Sequence, residues 1–337
     1  MRVQIASDIH VEFFPSAAAA FASVFGPAPV VPSAPSLALL GDIGYVNSPT
    51  YADFLRLCTH TWGEIYLLIG NHEFWREKRG GQFVRGGSHA RAAEIVAEIN
   101  AESAAAAPQR GHIRLLNRTA FDPAEGEGRV RVIGASLWFD VPLPAERSDG
   151  DAAFLSALNH GCADFSNVKA GKEMLSIEIV REWHRGDAAF IAEELAAARE
   201  RGQTVLVLTH HAPVLDARTL AAAEAPNAAV IAYLADARAR EAGGGAASLA
   251  PTLSREDAAR AAAHVSSGAD CRALLAQRTV WCFGHTHHAV DFEEGGARLL
   301  SNPAGYVHET DVRARFDAGC VVEVGGDLAG VTTPTIR

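Results

Sequence analysis

A chain of 337 residues has room for one large α/β domain or two small ones, with ample core for either. Apolar residues make up 48% and charged residues 21%, the balance of an ordinary globular enzyme, while 30 Lys and Arg against 40 Asp and Glu leave a net charge of -10 that argues against a general nucleic-acid binder. Five cysteines without a Cys-x-x-Cys pair, no apolar run of membrane-spanning length and an N-terminus too short and polar for a signal peptide predict a cytoplasmic protein with reduced thiols and no membrane partner.

In chain order, residues 2–7 read as a first strand that runs into Ser7-Asp8-Ile9-His10, where Asp8 and His10, two apart, share one side of extended chain. Residues 15–36, rich in Ala and Pro, read as an irregular connection with a short helix near 16–24. Leu37-Ala38-Leu39-Leu40-Gly41-Asp42 is a second apolar run closed by a glycine and a carboxylate; Ser48-Pro49 then supplies the N-cap and first-turn proline of a helix over about 49–60. Residues 65–69 form a third buried strand, Gly70 turns the chain, and Asn71-His72-Glu73 follow where it leaves the core. Strand, helix, strand predicts a βαβ unit, and an open α/β sheet carries its chemistry at such strand ends. Beyond lies a glycine-rich loop with four basic residues, Arg76, Lys78, Arg79 and Arg85, placed to draw an anionic substrate inward. A helix from Ser88 to about 105 follows.

Residues 112–117 and 129–135 read as strands, 140–171 as irregular chain with Asn159-His160 in a loop, and 173–201 as a long amphipathic helix. Residues 204–209 are a buried strand ending in His210-His211-Ala212-Pro213, where Pro213 fixes the turn. From 216 to 278 the chain is alanine-rich, with Gly243-Gly244-Gly245 as a link between helices, one opening at the capping box Ser254-Arg255-Glu256-Asp257 and one over 269–277. Residues 279–283 are the next strand, followed by Gly284-His285-Thr286-His287-His288; strands near 289–294, 297–301 and 319–324 complete a second sheet. With no internal repeat and no linker, the expectation is a single domain with an Ala/Gly-rich helical insertion at about 216–268.

Five strand ends thus carry Asp8/His10, Asp42, Asn71/His72, His210/His211 and His285/His287. Mixed Asp, His and Asn donors with no thiolate suit Mn, Fe, Zn or Co. His285 and His287, two apart, share a side of extended chain, yet a short turn lets them serve two ions.

The order Asp8-x-His10, Gly41-Asp42, Gly70-Asn71-His72-Glu73, His210, Gly284-His285-x-His287 resembles the calcineurin-like metallophosphoesterase superfamily. The resemblance implies a four-layer α-β-β-α sandwich of two mixed sheets with a dinuclear metal site at the strand ends. It implies Asp8, His10, Asp42 and His287 on a first divalent ion, and Asn71, His210 and His285 on a second, with Asp42 bridging. His210 is preferred to His211 because the family's ligand directly follows the strand; His211 then sits behind it or near the substrate, and Arg76 is a further substrate-binding candidate. Two such ions, manganese foremost, generate a bridging hydroxide near neutral pH and clamp phosphoryl oxygens. The implied reaction is hydrolysis of a small phosphorylated substrate, a phosphodiester ahead of a monoester, with His72 catalytic. The alternatives are a nuclease of the same fold and a metal-free binding scaffold. Two departures stand out. Ser/Thr phosphatases of the superfamily carry an acidic residue three positions after the bridging Asp, where this chain has Tyr45, so His72 is expected to be nearer an unperturbed imidazole. Ala304 in Asn302-Pro303-Ala304-Gly305-Tyr306 stands where close relatives tend to have Arg.

Overall fold

Strands with no polar face form where a sheet is covered on both sides, and this chain has enough of them to build two such sheets. The structure, a computed structural model, describes residues 1–75, 88–220, 225–243 and 253–325. The N-terminal part gives β1 (Arg2–Ala6), α1 (Ala17–Phe25), β2 (Ser36–Leu40), α2 (Pro49–Thr59), β3 (Glu64–Leu68), α3 (Ser88–Ala105) and β4 (His112–Leu116). The middle gives β5 (Thr119–Phe121), β6 (Val130–Gly134), α4 (Asp149–Gly161), α5 (Asp164–Asn167), β7 (Lys169–Ala170), β8 (Glu173–Met174), α6 (Ile177–Glu200) and β9 (Thr204–Leu208). The rest gives α7 (Ala228–Glu241), α8 (Arg255–Ser266), β10 (Thr279–Phe283), β11 (Val290–Glu294), β12 (Ala297–Ser301), α9 (Thr310–Arg315) and β13 (Val321–Glu323).

One sheet runs β13-β1-β2-β3-β4, parallel from β1 to β4 with β13 antiparallel at its edge. The other runs β11-β12-β10-β9-β6-β5, with a parallel centre and an antiparallel strand at each edge. The period of two sorts their side chains. In β2, Leu37 and Leu39 pack with α1 to α3, while Ala38 and Leu40 face the other sheet. In β9, Val205 and Val207 pack with Ile191 and Leu195 of α6, while Leu206 and Leu208 face inward. Helices, sheet, sheet and helix therefore form four layers, as expected. Because all five residues of β2, β9 and β10 are buried, each strand holds about 1.5–3 kcal/mol per large apolar side chain against exposure.

Several expectations need correction. The strand near 319–324 joins the first sheet, not the second, pairing Arg2 with Glu323 on β1; periodicity reveals a strand but not its partner. The helix expected over 269–277 is one 3-10 turn at Arg272–Leu274, preceded by chain that runs beside the β9 exit with the N–H groups of Ala269 and Cys271 donating to the Ala212 and Pro213 carbonyls. The stretch 140–171 is not irregular but holds α4 and α5, and Asn159-His160 lies in the last turn of α4. Its start was legible as the capping box that Ser148 and Asp151 form.

The alanine-rich segment contributes α7 and α8, and α8 packs against α4. Buried Arg240 of α7 grips Asp151 of α4 with both terminal nitrogens at 2.8 and 2.9 Å, and the Tyr233 hydroxyl donates to the same carboxylate at 2.9 Å. The Asn227 cap of α7 donates to Asp257 of α8 at 2.7 Å, so the three helices are tied into one unit. Gly244, Gly245 and the basic residues Arg76, Lys78, Arg79 and Arg85 lie outside the described residues. No helix among the described residues is long and apolar enough to cross a membrane.

Candidate metal centre

Parallel strands β1, β2 and β3 of one sheet and β9 and β10 of the other deliver the five polar strand exits to one edge of the sandwich. The exits are laced together by backbone. Asp8, His10 and Val11 donate their N–H groups to the carbonyls of Gly41, Asp42 and Ile43 at 3.1, 3.0 and 2.8 Å, which seats the end of β1 on the end of β2. Gly41 has φ +87° and lies so close to Gly70 and His210 that a Cβ would sit 2.6 Å from the Gly70 nitrogen and from His210 Nδ1. A Cβ on Gly70 would collide with the Asp42 carboxylate. These glycines are demanded by the close approach of the strand exits.

Glu73 is the knot. Its buried carboxylate accepts N–H groups from Gly70 (2.8 Å), Asp42 (3.0 Å) and Ile43 (2.8 Å), tying the exits of β2 and β3 together. Burial pushes this carboxyl up to about 8, against the backbone donors that hold it down.

All seven expected ligands converge. Donor atoms of Asp8, His10 and His287 lie within 4.8 Å of one another, and so do those of Asp42, His210 and His285. His10 Nε2 is 3.2 Å from His287 Nε2, which is 3.5 Å from Asp8 Oδ1. On the other side Asn71 Oδ1 is 3.0 Å from His210 Nε2 and 3.1 Å from His285 Nδ1, and Asp42 Oδ1 is 3.4 Å from His210 Nε2. Asp42 Oδ2 faces the first group, 4.0 Å from His10 Nε2, so its carboxylate stands between the two. Asp8 and His10 do not meet by extended geometry as expected. Both have φ near +50°, as do Asp42 and His287, with His285 at 69°.

The donor set fits divalent metal. Each imidazole in it has one nitrogen facing the cluster and the other bound to an acceptor: His10 Nδ1 to Glu12 (3.3 Å), His210 Nδ1 to the Leu40 carbonyl (2.9 Å), His285 Nε2 to the Ser266 carbonyl (3.1 Å) and His287 Nδ1 to Glu309 (2.6 Å). That outer acceptor fixes the tautomer and turns the free lone pair inward. Asn71 is aimed the same way: its Nδ2 donates to Asp164 at 2.9 Å, which turns Oδ1 toward the histidines. Burial keeps His10, His210 and His285 neutral, with pKa values down to about 4, 4 and 3. His287 goes the other way, up to about 10, because Asp8 and Glu309 outweigh its burial. Burial drives the Asp42 carboxyl well upward, opposed by His72 and reinforced by Glu73 and Asp8, a charge conflict that a cation relieves.

His72 stands at the rim, its backbone N–H donating to Asp42 Oδ1 at 2.8 Å. Its ring does not lack a carboxylate, contrary to the expectation from Tyr45. Glu12 Oε1 lies 3.0 Å from His72 Nδ1, and although burial opposes it, the charges of Asp42 and Glu12 raise the imidazole above its ordinary value. Tyr45 stacks over His72 at 6.0 Å, and the Tyr306 hydroxyl is 3.1 Å from His72 Nε2. The turn holding Ala304 thus brings Tyr306 and Glu309 to the site in place of an arginine. His211 is buried behind His285 against Trp138 and Phe139, its ring nitrogens unpartnered among the described residues, and it does not line the cleft above the donor cluster. Arg76 lies outside the described residues. Sequence reasoning missed Glu12, Asp164, Tyr306 and Glu309; only Glu12, two residues after His10, had a local signal.

Comparison with known proteins points the same way. The sequence model described as calcineurin-like phosphoesterase matches residues 1–289. An uncharacterized protein of Acanthamoeba polyphaga mimivirus is 22% identical over 277 residues, 81% of this chain and 79% of that one. Among solved structures, a phosphopantetheinyl hydrolase of Mycobacterium tuberculosis shares the fold with a TM-score of 0.50 and 17% identity, covering 98% of each chain. A dimetal phosphatase from Danio rerio gives a TM-score of 0.39 and 12% identity, covering 89% of this chain and 86% of that one.

Proposed function

The chain belongs to the calcineurin-like phosphoesterase family, and from that premise we propose that it is a two-metal hydrolase of small phosphate esters. The observation that carries this reading is the outward tether on every cluster histidine, which turns four ring nitrogens inward beside Asp8, Asp42 and the Asn71 oxygen. In it, Asp8, His10, Asp42 and His287 hold one ion, and Asn71, His210 and His285 hold the other with Asp42 shared. Bound divalent ions, manganese being the first to try, lower the pKa of water and neutralise charge on the phosphoryl oxygens. The chain's own residues supply the rest. Glu12 holds Nδ1 of His72, so a proton at Nε2 faces the site and is available to a departing alkoxide. Tyr306 positions that nitrogen from the other side. Arg76 and its basic neighbours are proposed to steer the anion inward, His211 to back His285, and segment 216–268 to be an insertion in a single domain. The reduced cysteines fit a cytoplasmic setting.

Between ester classes we place diesters first, and the named activity of the mycobacterial neighbour makes a phosphopantetheinyl ester part of the substrate panel. The decisive experiment is metal reconstitution with manganese, then assay against aryl and natural mono- and diesters and single- and double-stranded DNA. Two equivalents of metal with turnover of small esters is the expected result. Absence of both metal and hydrolysis would restore the scaffold reading, and a preference for DNA the nuclease.

A further inference from the structure

We propose that the cleft over the metal centre is a specificity subsite for an uncharged, narrow arm of a phosphodiester, walled by α4 and α8; this rests on the phosphoesterase reading above. The cleft offers about 360 Å³, with the space of roughly a dozen waters. Its floor is Asp42, Asn71, His285 and His287 of the donor cluster together with His72. Its far wall is helix α8, which presents Ala259, Ala262, Ala263 and Ser266, spaced so that they share one face. Helix α4 adds Ala157 and Gly161. Apart from Cys162, which caps α4, no side chain on this wall is larger than a methyl or hydroxymethyl group. The hydroxyls of Ser266 and Ser267 are turned back onto the Ala263 carbonyl at 3.1 and 2.9 Å, so they present little polarity to a ligand.

Charge narrows the ligand class further. Among the described residues that line the cleft there is no Lys or Arg while Glu309 is present, so these helix walls offer no cation to a second anionic group beyond the phosphoryl at the donor cluster. Glu309 lines it too, but its carboxylate is committed to His287 and the Tyr306 N–H. One polar atom is left over. Thr286 lines the cleft, is 7% exposed, and its hydroxyl has no partner among the described residues. A buried hydroxyl is normally hydrogen-bonded, and this one is free to meet a neutral polar atom of the bound ester. The wall is a fixed feature, since Arg240, Tyr233 and Asn227 lock α4, α7 and α8 together. The alanine-rich segment of unassigned role thereby becomes the substrate-facing side of the site.

The test uses the full-length, metal-loaded protein and p-nitrophenyl phosphodiesters whose second arm is methyl, butyl, or a butyl chain ending in a carboxylate. Calorimetry with methylphosphonate monoesters bearing the same arms reports binding without chemistry. A fully buried methylene is worth about three- to fourfold, so half-burial of three extra ones predicts butyl over methyl by about five- to eightfold in both kcat/KM and affinity. The carboxylate arm should fall about tenfold or more below butyl, as an unpaired charge moved from water does. Ala263→Phe, at an exposed position of the α8 wall, should collapse the butyl preference toward unity, and Ala263→Lys should shrink the carboxylate penalty. Equal values for all three arms, or a preference for the carboxylate, overturns the proposal. Affinity that follows the arms while no ester is hydrolysed would sink the phosphoesterase reading and leave the cleft assignment standing; hydrolysis indifferent to the arm does the reverse.

Discussion

Glu12→Gln isolates the charge that stands beside His72. Glu12 Oε1 is 3.0 Å from His72 Nδ1, and both side chains are 4% exposed, so water screens the pair little. Hydrogen bonds to charged groups are worth about 1.5–3 kcal/mol and neutral ones about 0.5–1.5. Glutamine keeps the shape and an acceptor oxygen but gives up the charge, so about 1–1.5 kcal/mol, a factor of roughly five to twelve, is withdrawn from any state in which His72 is an imidazolium. That state is the one needed to protonate a poor leaving group, whereas a nitrophenolate departs without help. Steady-state kcat for an alkyl ester should therefore drop about five- to twelvefold in Glu12→Gln, and by about 10²-fold or more in His72→Ala, while a nitrophenyl ester loses less than about twofold in the glutamine variant. Metal analysis must accompany both, because Glu12 Oε1 also lies 3.3 Å from His10 Nδ1. Equal losses for the two esters at full metal occupancy would refute proton donation by His72. Loss of one metal equivalent would show that Glu12 acts through His10 instead.

Asp42→Asn should lower bound metal and activity more than Asp8→Asn, since only Asp42 faces both donor groups; equal metal loss by elemental analysis would remove the bridging role. Asp164→Ala frees the Asn71 amide to turn and should weaken one of two metal sites by about 10–100-fold in a chelator competition, leaving the other unchanged; uniform weakening of both sites would show a general structural defect. Neutralising Arg76, Lys78 and Arg79 together should raise KM and flatten its dependence on salt, and an unchanged KM at low salt would mean that the loop only carries solvated charge. Asp151→Asn should destabilise the protein at pH 7 by about 2–3 kcal/mol, because burial raises this carboxyl but Arg240 more than offsets it and holds it at about 2. The folded value is depressed, so the contribution is present above about pH 4 and is lost as the pH falls toward 2; a destabilisation in thermal melts that does not shrink over that window would count against the ion pair as its source.

The candidate donors were legible because each lies within a few residues of the end of an apolar run, and a buried strand that gives way to Asp, Asn or His advertises its exit. The two-sheet sandwich was legible for the same reason. What held those ligands in place was not, because its information is not local. Asn71 is oriented by a residue 93 positions later, and His72 meets Tyr306 across 234. Tyr45 was correctly seen to lack a charge, yet the missing carboxylate came from Glu12 on another strand exit, a substitution that only folding displays. The edge strand β13 shows the same limit, since Val321 and Val322 read as strand but nothing in them names β1 as the neighbour. Helix α4 is a different case. Its capping box lay in plain view, and the alanine-, glycine- and aspartate-rich run that follows it dilutes the apolar period on which recognition depends.

The backbone at the centre explains how donors from separate strand ends can share so small a space. Side chains at a strand exit alternate between opposite faces, so consecutive exits in plain extended chain would scatter their donors over two sides of the sheet. Asp8, His10, Asp42, His285 and His287 instead adopt φ between 49 and 69°, a region that costs a non-glycine residue about 1–2 kcal/mol. With that backbone their donor atoms gather within 4.8 Å of one another in each group. Glycine would relieve that strain at every one of these positions, but it has no donor atom, and its smaller size is used at Gly41, Gly70 and Gly284, where exits nearly touch. The strain is held in place by bonds that do not depend on an ion: the Glu73 carboxylate on three backbone N–H groups, and the Asp8 carboxylate on the N–H of His285 at 3.0 and 3.1 Å. Two carboxylates thus shape the backbone while also facing, or lying one residue pair from, the metal donors. A cluster built this way is organised by the protein before any ion arrives, which is the condition for electrostatic catalysis without reorganisation. It also places the consequence of losing Glu73 at the donor cluster as a whole, since the exits it ties are those that carry Asp42 and Asn71.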